Sequence, residues 1–218
     1  MPSIKSIFAT AFACAVTTGC TAAGPVVYEG LASASALKPN PNDQNGREPY
    51  VFRGDTSFRQ YTRIIVDPVT VYAGTDAQFG KVSADDKLAL ARYMQSEFTE
   101  RLKTRFSIVT APQPNTLRLH LTLTGVKANT PVLGTLSHFD VAGGVYNGVQ
   151  AVRGGEGSMT GSVNYAVEVY DATANRLLLA YVSKQFPGAM NIGASMGSMQ
   201  ASMVGVEKGA DALLAKLR

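Results

Sequence analysis

The stretch TLRLHLTLTGVK, residues 116–127, decides the fold. Leu117, Leu119, Leu121 and Leu123 alternate strictly with Arg118, His120, Thr122 and Thr124. Successive strand side chains point to opposite faces, so this period of two predicts a strand with one covered face and one polar face. Such one-sided patterning is typical of antiparallel sheets, because wholly parallel ones are covered on both faces. Residues 160–171 repeat it, setting Val163, Tyr165, Val167 and Val169 against Asn164, Ala166, Glu168 and Tyr170. A polar turn at 172–175 leads into the apolar run 176–186, which predicts an antiparallel hairpin. Upstream, residues 61–72 (YTRIIVDPVTVY) are rich in β-branched side chains. Pro68 has no N–H to give a ladder, so that strand should bend there or lie at an edge.

Between these strands, residues 83–106 carry a helical period. Leu88, Ala91, Met94, Phe98, Leu102 and Phe106 fall within an arc of about 120° at 100° per residue. Ser83 followed by Asp86 resembles a capping box, and Asp85 and Asp86 suit the positive end of the helix dipole. Glu97 and Arg101 have the i,i+4 spacing of an ion pair, with Lys103 and Arg105 near the negative end. Helix, strands and a terminal helix in this order predict an α+β domain over residues 61–218. The expected architecture is a two-layer sandwich: an antiparallel (mixed) sheet with one face covered by two helices.

The composition agrees with one globular domain. Of 218 residues, 45% are hydrophobic and 17% charged, too apolar for a disordered chain. Two Cys cannot frame a disulfide scaffold, and a net charge of +4 by itself implies no nucleic-acid partner. The 21 glycines concentrate in two stretches, residues 141–161 and 188–209. In the second, Gly193, Gly197, Ala201, Gly205 and Gly209 recur at every fourth position. On a helix this spacing makes a ridge of small side chains that admits a close neighbour. Met199, Met203, Val206, Ala210, Leu213, Leu214 and Leu217 occupy a separate apolar arc. Two readings stay open: a loop over 188–197 with a helix from about Ser198, or a ridge for helix packing and self-association. Gly144 and Gly148 form a shorter candidate of the same kind.

Residues 1–19 read as an export signal. Lys5 precedes the apolar run 7–16, which is too short to span a bilayer. Thr17-Thr18-Gly19-Cys20 places small residues before a cysteine, resembling the bacterial lipobox. Cys20 is therefore the expected lipidation site, and multiple acyl chains such as palmitate would anchor it durably in the membrane. Thr21 in place of Asp favours the outer membrane. Residues 20–60 are expected to be an acylated tether that wraps onto the domain.

No catalytic constellation is recognisable. His120 and His138 lack metal-ligand spacing to another donor, so neither a metal site nor a cofactor is expected. Ser137, His138 and Asp140 are sequence neighbours, whereas triad partners meet through the fold. Gly154-Gly155-Glu156-Gly157 lacks the Lys-Ser/Thr of a phosphate-binding loop. In residues 50–63, Tyr50, Phe52, Phe58 and Tyr61 interleave with Arg53, Arg59 and Arg63. An exported protein would not meet nucleic acid, so these read as a packing strap with solvated arginines, an anionic glycan or headgroup being the other option.

Taken together, these features resemble an uncharacterised bacterial lipoprotein family, domain-of-unknown-function family 3313. The resemblance rests on Cys20, on Gly30-Leu31 with Ser35 and Leu37, and on Tyr61-Thr62-Arg63 with Val66-Asp67-Pro68-Val69. The helix from Ser83, the two alternating strands and a terminal helix over 210–217 extend it. It implies an outer-membrane lipoprotein facing the periplasm and transfers no catalytic residue. The expected role is non-catalytic: binding or envelope assembly, through a protein partner or self-association. An auxiliary subunit of an envelope transport system, or a periplasmic hydrolase, is the alternative. A hydrolase would gather His120, Glu168 and Asp171 in one cleft.

Overall fold

The alternating stretch forms the central strand of a mixed eight-stranded sheet. The structure, a computed structural model, describes residues 24–128, 161–187 and 199–218. In chain order the strands are β1 (Lys38–Pro39), β2 (Tyr50–Arg53), β3 (Arg63–Val66), β4 (Thr70–Val71), β5 (Ser107–Ile108), β6 (Thr116–Lys127), β7 (Ser162–Asp171) and β8 (Arg176–Gln185). They lie in the order β1-β2-β8-β7-β6-β3-β5, with β4 also paired to β6. The half from β1 to β6 is antiparallel, and β3, β4 and β5 add parallel pairs. β3 and β4 are the two halves of the strand expected over 61–72. Both run parallel to β6, separated by Asp67, Pro68 and Val69, where the bend at Pro68 was expected. The hairpin of β7 and β8 pairs Asp171 with Arg176, and Asn175 takes the left-handed conformation (φ 50°) at its turn. The sheet also takes in residues before 61, as β1 and β2.

Two helices, α1 (Ala84–Lys103) and α2 (Gln200–Lys216), cover one face. Ser83 caps α1, its Oγ accepting from the Asp86 N–H at 3.1 Å. Leu90, Ala91, Met94, Phe98 and Leu102 bury the helix, and Phe106 closes the core just past its end. Leu88, expected in that arc, is instead 50% exposed, because the buried stripe runs through Leu90. Arg101 does not take the intrahelical role expected with Glu97; its recorded ion pair is with Asp211 of α2 at 3.0 Å. The Tyr93 hydroxyl donates to Glu207 at 2.6 Å, and Ala89 and Met203 line one hollow between the helices, so the two lie side by side and parallel. Beneath them Leu117, Leu119, Leu121, Leu123, Val163, Tyr165, Val167 and Val169 are all buried, as the alternation predicts. Full burial of one such side chain stabilises by about 1.5–3 kcal/mol.

Candidate functional site

The other sheet face is where the structure adds most to the pattern. Asn164, Ala166 and Glu168 of β7 were expected on the polar face, yet all three are buried. Residues 24–37 cross over them as a strap. Tyr28, Leu31 and Leu37 pack on Ala166, Ala180 and Val182 in a second apolar cluster. Polar contacts pin it along its length. Gln78 is the first hub: its Oε1 accepts from the Tyr28 hydroxyl (3.1 Å) and from Asn164 Nδ2 (2.7 Å), and its Nε2 donates to the Gly24 carbonyl (2.9 Å). Asp76 is the second, accepting from the Tyr72 hydroxyl and from the Glu29 N–H. The Tyr72 bond, more than any other contact, holds the Asp76 carboxyl below its ordinary value. Tyr72 in turn accepts from the Gly30 N–H at 3.0 Å. A Cβ at Gly30 would sit 2.8 Å from the Tyr72 ring, so this close approach requires glycine.

Glu168 makes the third pin. Its Oε1 accepts from the Ser33 N–H at 2.6 Å although the residue is only 4% exposed. His120, its register partner on β6, faces the same way. The His120 and Tyr170 rings are 5.2 Å apart, and Tyr170 donates to Glu168 at 3.4 Å. Burial first, then the Glu168 charge, pushes the Tyr170 phenol up to about 12. Asp67, at the break between β3 and β4, lies 2.8 Å from His120 Nε2. Arg118 grips the same carboxylate with Nε at 2.8 Å and Nη2 at 3.2 Å. This set neutralises Asp67 and fastens the strap. It does not unite His120, Glu168 and Asp171: Asp171 bonds the Tyr61 hydroxyl at 2.8 Å, and Tyr61 belongs to the helix-side core. Among the described residues, no three or more His, Cys, Asp or Glu side chains gather as a metal site.

On the helix side, the small-residue ridge faces the sheet. Ala201, Gly205 and Gly209 are buried in α2. A Cβ at Gly205 would come within 2.8 Å of Val163 Cγ1 and 2.9 Å of the Gln185 carbonyl. At Gly209 it would collide with the Tyr165 hydroxyl at 2.1 Å. The ridge there admits β-strands at close range, rather than a second helix. Val206, Ala210, Leu213 and Leu217 complete the buried surface of α2, with Met199 and Met203 packed at its edge. Gly193 and Gly197 lie outside the described residues, as do Cys20, Gly144, Gly148, Ser137, His138, Asp140 and the 154–157 glycines.

Five chain positions meet at one end of the sheet. β6 leaves through Ala128 beside the start of β7, paired Lys127 to Ser162. β8 ends next to β7, paired Gln185 to Val163, and α2 begins after Met199. Gln78, bridged to Gly125 at this end, carries Gly24, from which the chain runs back to Cys20. A cavity of about 540 Å³ opens here, lined by Gln78, Lys81, Asp86, Lys127, Asn164 and Met199 among others.

Gln78 escaped the sequence reading, and Asp67 entered it only as part of a segment and not as a hub, because each acts across long separations. Glu168 carried a usable signal: it is a carboxylate centred in a long strand, opposite residues a strap could cover.

A family model described as "Protein of unknown function (DUF3313)" matches residues 27–213. No curated protein matches the chain. Among solved structures it is similar to the PelC dodecamer from Paraburkholderia phytofirmans, at 11% identity and a TM-score of 0.40, covering 77% of this chain and 91% of that one. A Xanthomonas campestris protein of the DUF330 family is similar at 6% identity and a TM-score of 0.37, covering 82% and 88%. A hypothetical protein from Chlamydia trachomatis is similar at 10% and 0.37, covering 72% and 98%.

Proposed function

This chain belongs to the DUF3313 family of proteins of unknown function, and from that premise we propose that it is a lipid-anchored lipoprotein of the outer membrane. It faces the periplasm and works by binding or assembly rather than catalysis. The observation that supports this reading is the shared end of the sheet. Gly24, Ala128, Gly161, Pro187 and Met199 border the stretches that hold Cys20 and most of the excess glycine, and all lie at that end. An acyl group on Cys20 would hold that end at the membrane and present the glycine-rich stretches to a partner or a second copy. The strap gives the anchor a firm mechanical connection, because Tyr28, Leu31, Ser33 and Leu37 are buried and polar contacts pin it from Gly24 to Ser33.

Mass spectrometry of the N-terminal peptide tests the anchor. A lipid-sized mass increase on Cys20 is expected, and a free Cys20 amine in the mature protein would overturn it. Crosslinking in cells from Lys81, which is exposed beside the cavity, tests assembly. A stoichiometric envelope partner or a self-crosslink is expected. Recovery of neither would remove the assembly reading.

A further inference from the structure

Several cations near the helices and on β6 are matched by acids: Arg101 by Asp211, Lys103 by Glu100, Lys216 by Glu48 and Arg118 by Asp67. The opposite pole of the sheet, where β6 begins and β7 turns into β8, is different. Arg53, Arg59, Arg63, Arg105, Arg176 and Arg218 converge there from the ends of separate segments. Among the described residues none of the six forms an ion pair. Their neighbourhood is stitched together by neutral acceptors. Arg105 Nη2 donates to the Phe58 carbonyl at 3.1 Å, beside Arg59. Arg176 Nη1 donates to Thr56 Oγ1 at 3.3 Å, and Arg63 Nη1 to the Pro114 carbonyl at 3.4 Å. Burial first, and then the nearby Arg218 charge, pulls Arg105 below its ordinary value. Of the acids near this pole, Asp171 is engaged by Tyr61, Thr173 and Ala174, and Glu100 in the last turn of α1 is taken by Lys103.

We propose that this arginine pole docks an acidic protein surface, whose carboxylates pair with the guanidinium forks. Uncompensated like charge costs energy in the free protein, and a carboxylate-bearing partner converts that cost into attraction. Guanidinium matches carboxylate bidentately, and arginine is enriched at the energetic centres of protein interfaces. Three of the side chains are already held by carbonyl or hydroxyl oxygens, which lowers the ordering cost of docking. The aromatic rings interleaved with these arginines argue against a base-stacking ligand. Phe58 and Tyr61 are only 4% and 3% exposed, so they present no platform. The charge argument stands without lipidation; under the anchoring reading it also puts the pole at the far end from the membrane.

Binding of the full chain, in neutral detergent, to immobilised poly-L-glutamate tests the proposal. Arg59 and Arg176 are both exposed, so their substitution should leave the fold intact. The R59E/R176E variant is expected to lose affinity by about tenfold or more at low salt. R59K/R176K keeps the charge but loses the forks and should fall between it and the parent. Lys81→Glu, at the other end, makes a control that should bind as the parent does. Unchanged binding of R59E/R176E would overturn the proposal, as would a loss per unit of charge as large in Lys81→Glu, which would mark a net-charge effect alone. Tighter arginine-dependent binding to phosphatidylglycerol vesicles or to dextran sulfate than to poly-L-glutamate would also overturn it, in favour of a lipid or glycan.

Discussion

Glu168 accepts the backbone N–H of Ser33 at 2.6 Å, joining the middle of the sheet to the strap across 135 positions of sequence. Glu168→Ala would strand that buried donor, and an unsatisfied buried group costs about 1–3 kcal/mol, more when its partner was charged. Loss of about 2–3 kcal/mol is expected in urea unfolding. Limited proteolysis should then cut first within residues 24–37. A variant with parental stability and no new cleavage would show that the strap is held by its apolar side chains alone.

Asp171 makes acid stability specific. The Ala174 N–H above all, then the hydroxyls of Thr173 and Tyr61, hold its carboxyl down to about 2 from an ordinary 3.8. The folded value is the lower one, so between those limits the unfolded chain binds more protons and stability falls as pH falls. The contribution is complete above pH about 4 and is lost towards pH 2. After discounting for solvent it is on the order of 1–2 kcal/mol. Asp171→Asn should therefore cost that much at pH 7 and almost nothing near pH 2. Urea unfolding at both values checks it, and a cost independent of pH would assign the residue a purely steric part.

Gly205 and Gly209 carry the close approach of α2 to the sheet. Gly205→Leu must displace Val163 or the Gln185 backbone, and overpacking of this sort costs about 1–3 kcal/mol. For a chain of this size each kcal/mol lowers the melting temperature by about 2–4 °C. Gly209→Ala meets the Tyr165 hydroxyl and should also destabilise, whereas pairing it with Tyr165→Phe should recover part of the loss. Thermal melts of the three variants decide this. Absence of any recovery would mean that the ring as a whole, rather than its hydroxyl, sets the limit.

These residues also show how far the sequence could be read. Leu117 to Leu123 announced the covered face because a strand's period is fixed by backbone geometry, and the Pro68 bend followed from a missing N–H. The four-residue spacing of Ala201, Gly205 and Gly209 revealed a close-packed ridge but not its neighbour, since helix and sheet both accept one. The polar face of β7 was misleading for a different reason. Asn164 Nδ2 and Glu168 are bonded by Gln78 and Ser33, which are far away in sequence, and no local pattern encodes such a pairing. The six arginines of the far pole were visible in part as the run from Arg53 to Arg63, whereas Arg105, Arg176 and Arg218 join them only through the fold.

Gln78 and Glu168 fasten the strap at different points, which makes their coupling measurable. Gln78→Ala leaves the buried Tyr28 hydroxyl and Asn164 amide without their acceptor and releases the Gly24 carbonyl. Alone it should cost about 1–3 kcal/mol. Were the two pins independent, the double variant with Glu168→Ala would show the sum of the single losses, within about 0.5 kcal/mol. A strap that detaches as one unit behaves otherwise: once one pin is gone and the segment lifts, the second pin has little left to hold. The double variant should then lose less than the sum by about 1 kcal/mol or more, and amide exchange along residues 24–37 should rise together in either single variant. Strict additivity, with exchange raised only beside the substituted pin, would show a strap fixed piece by piece.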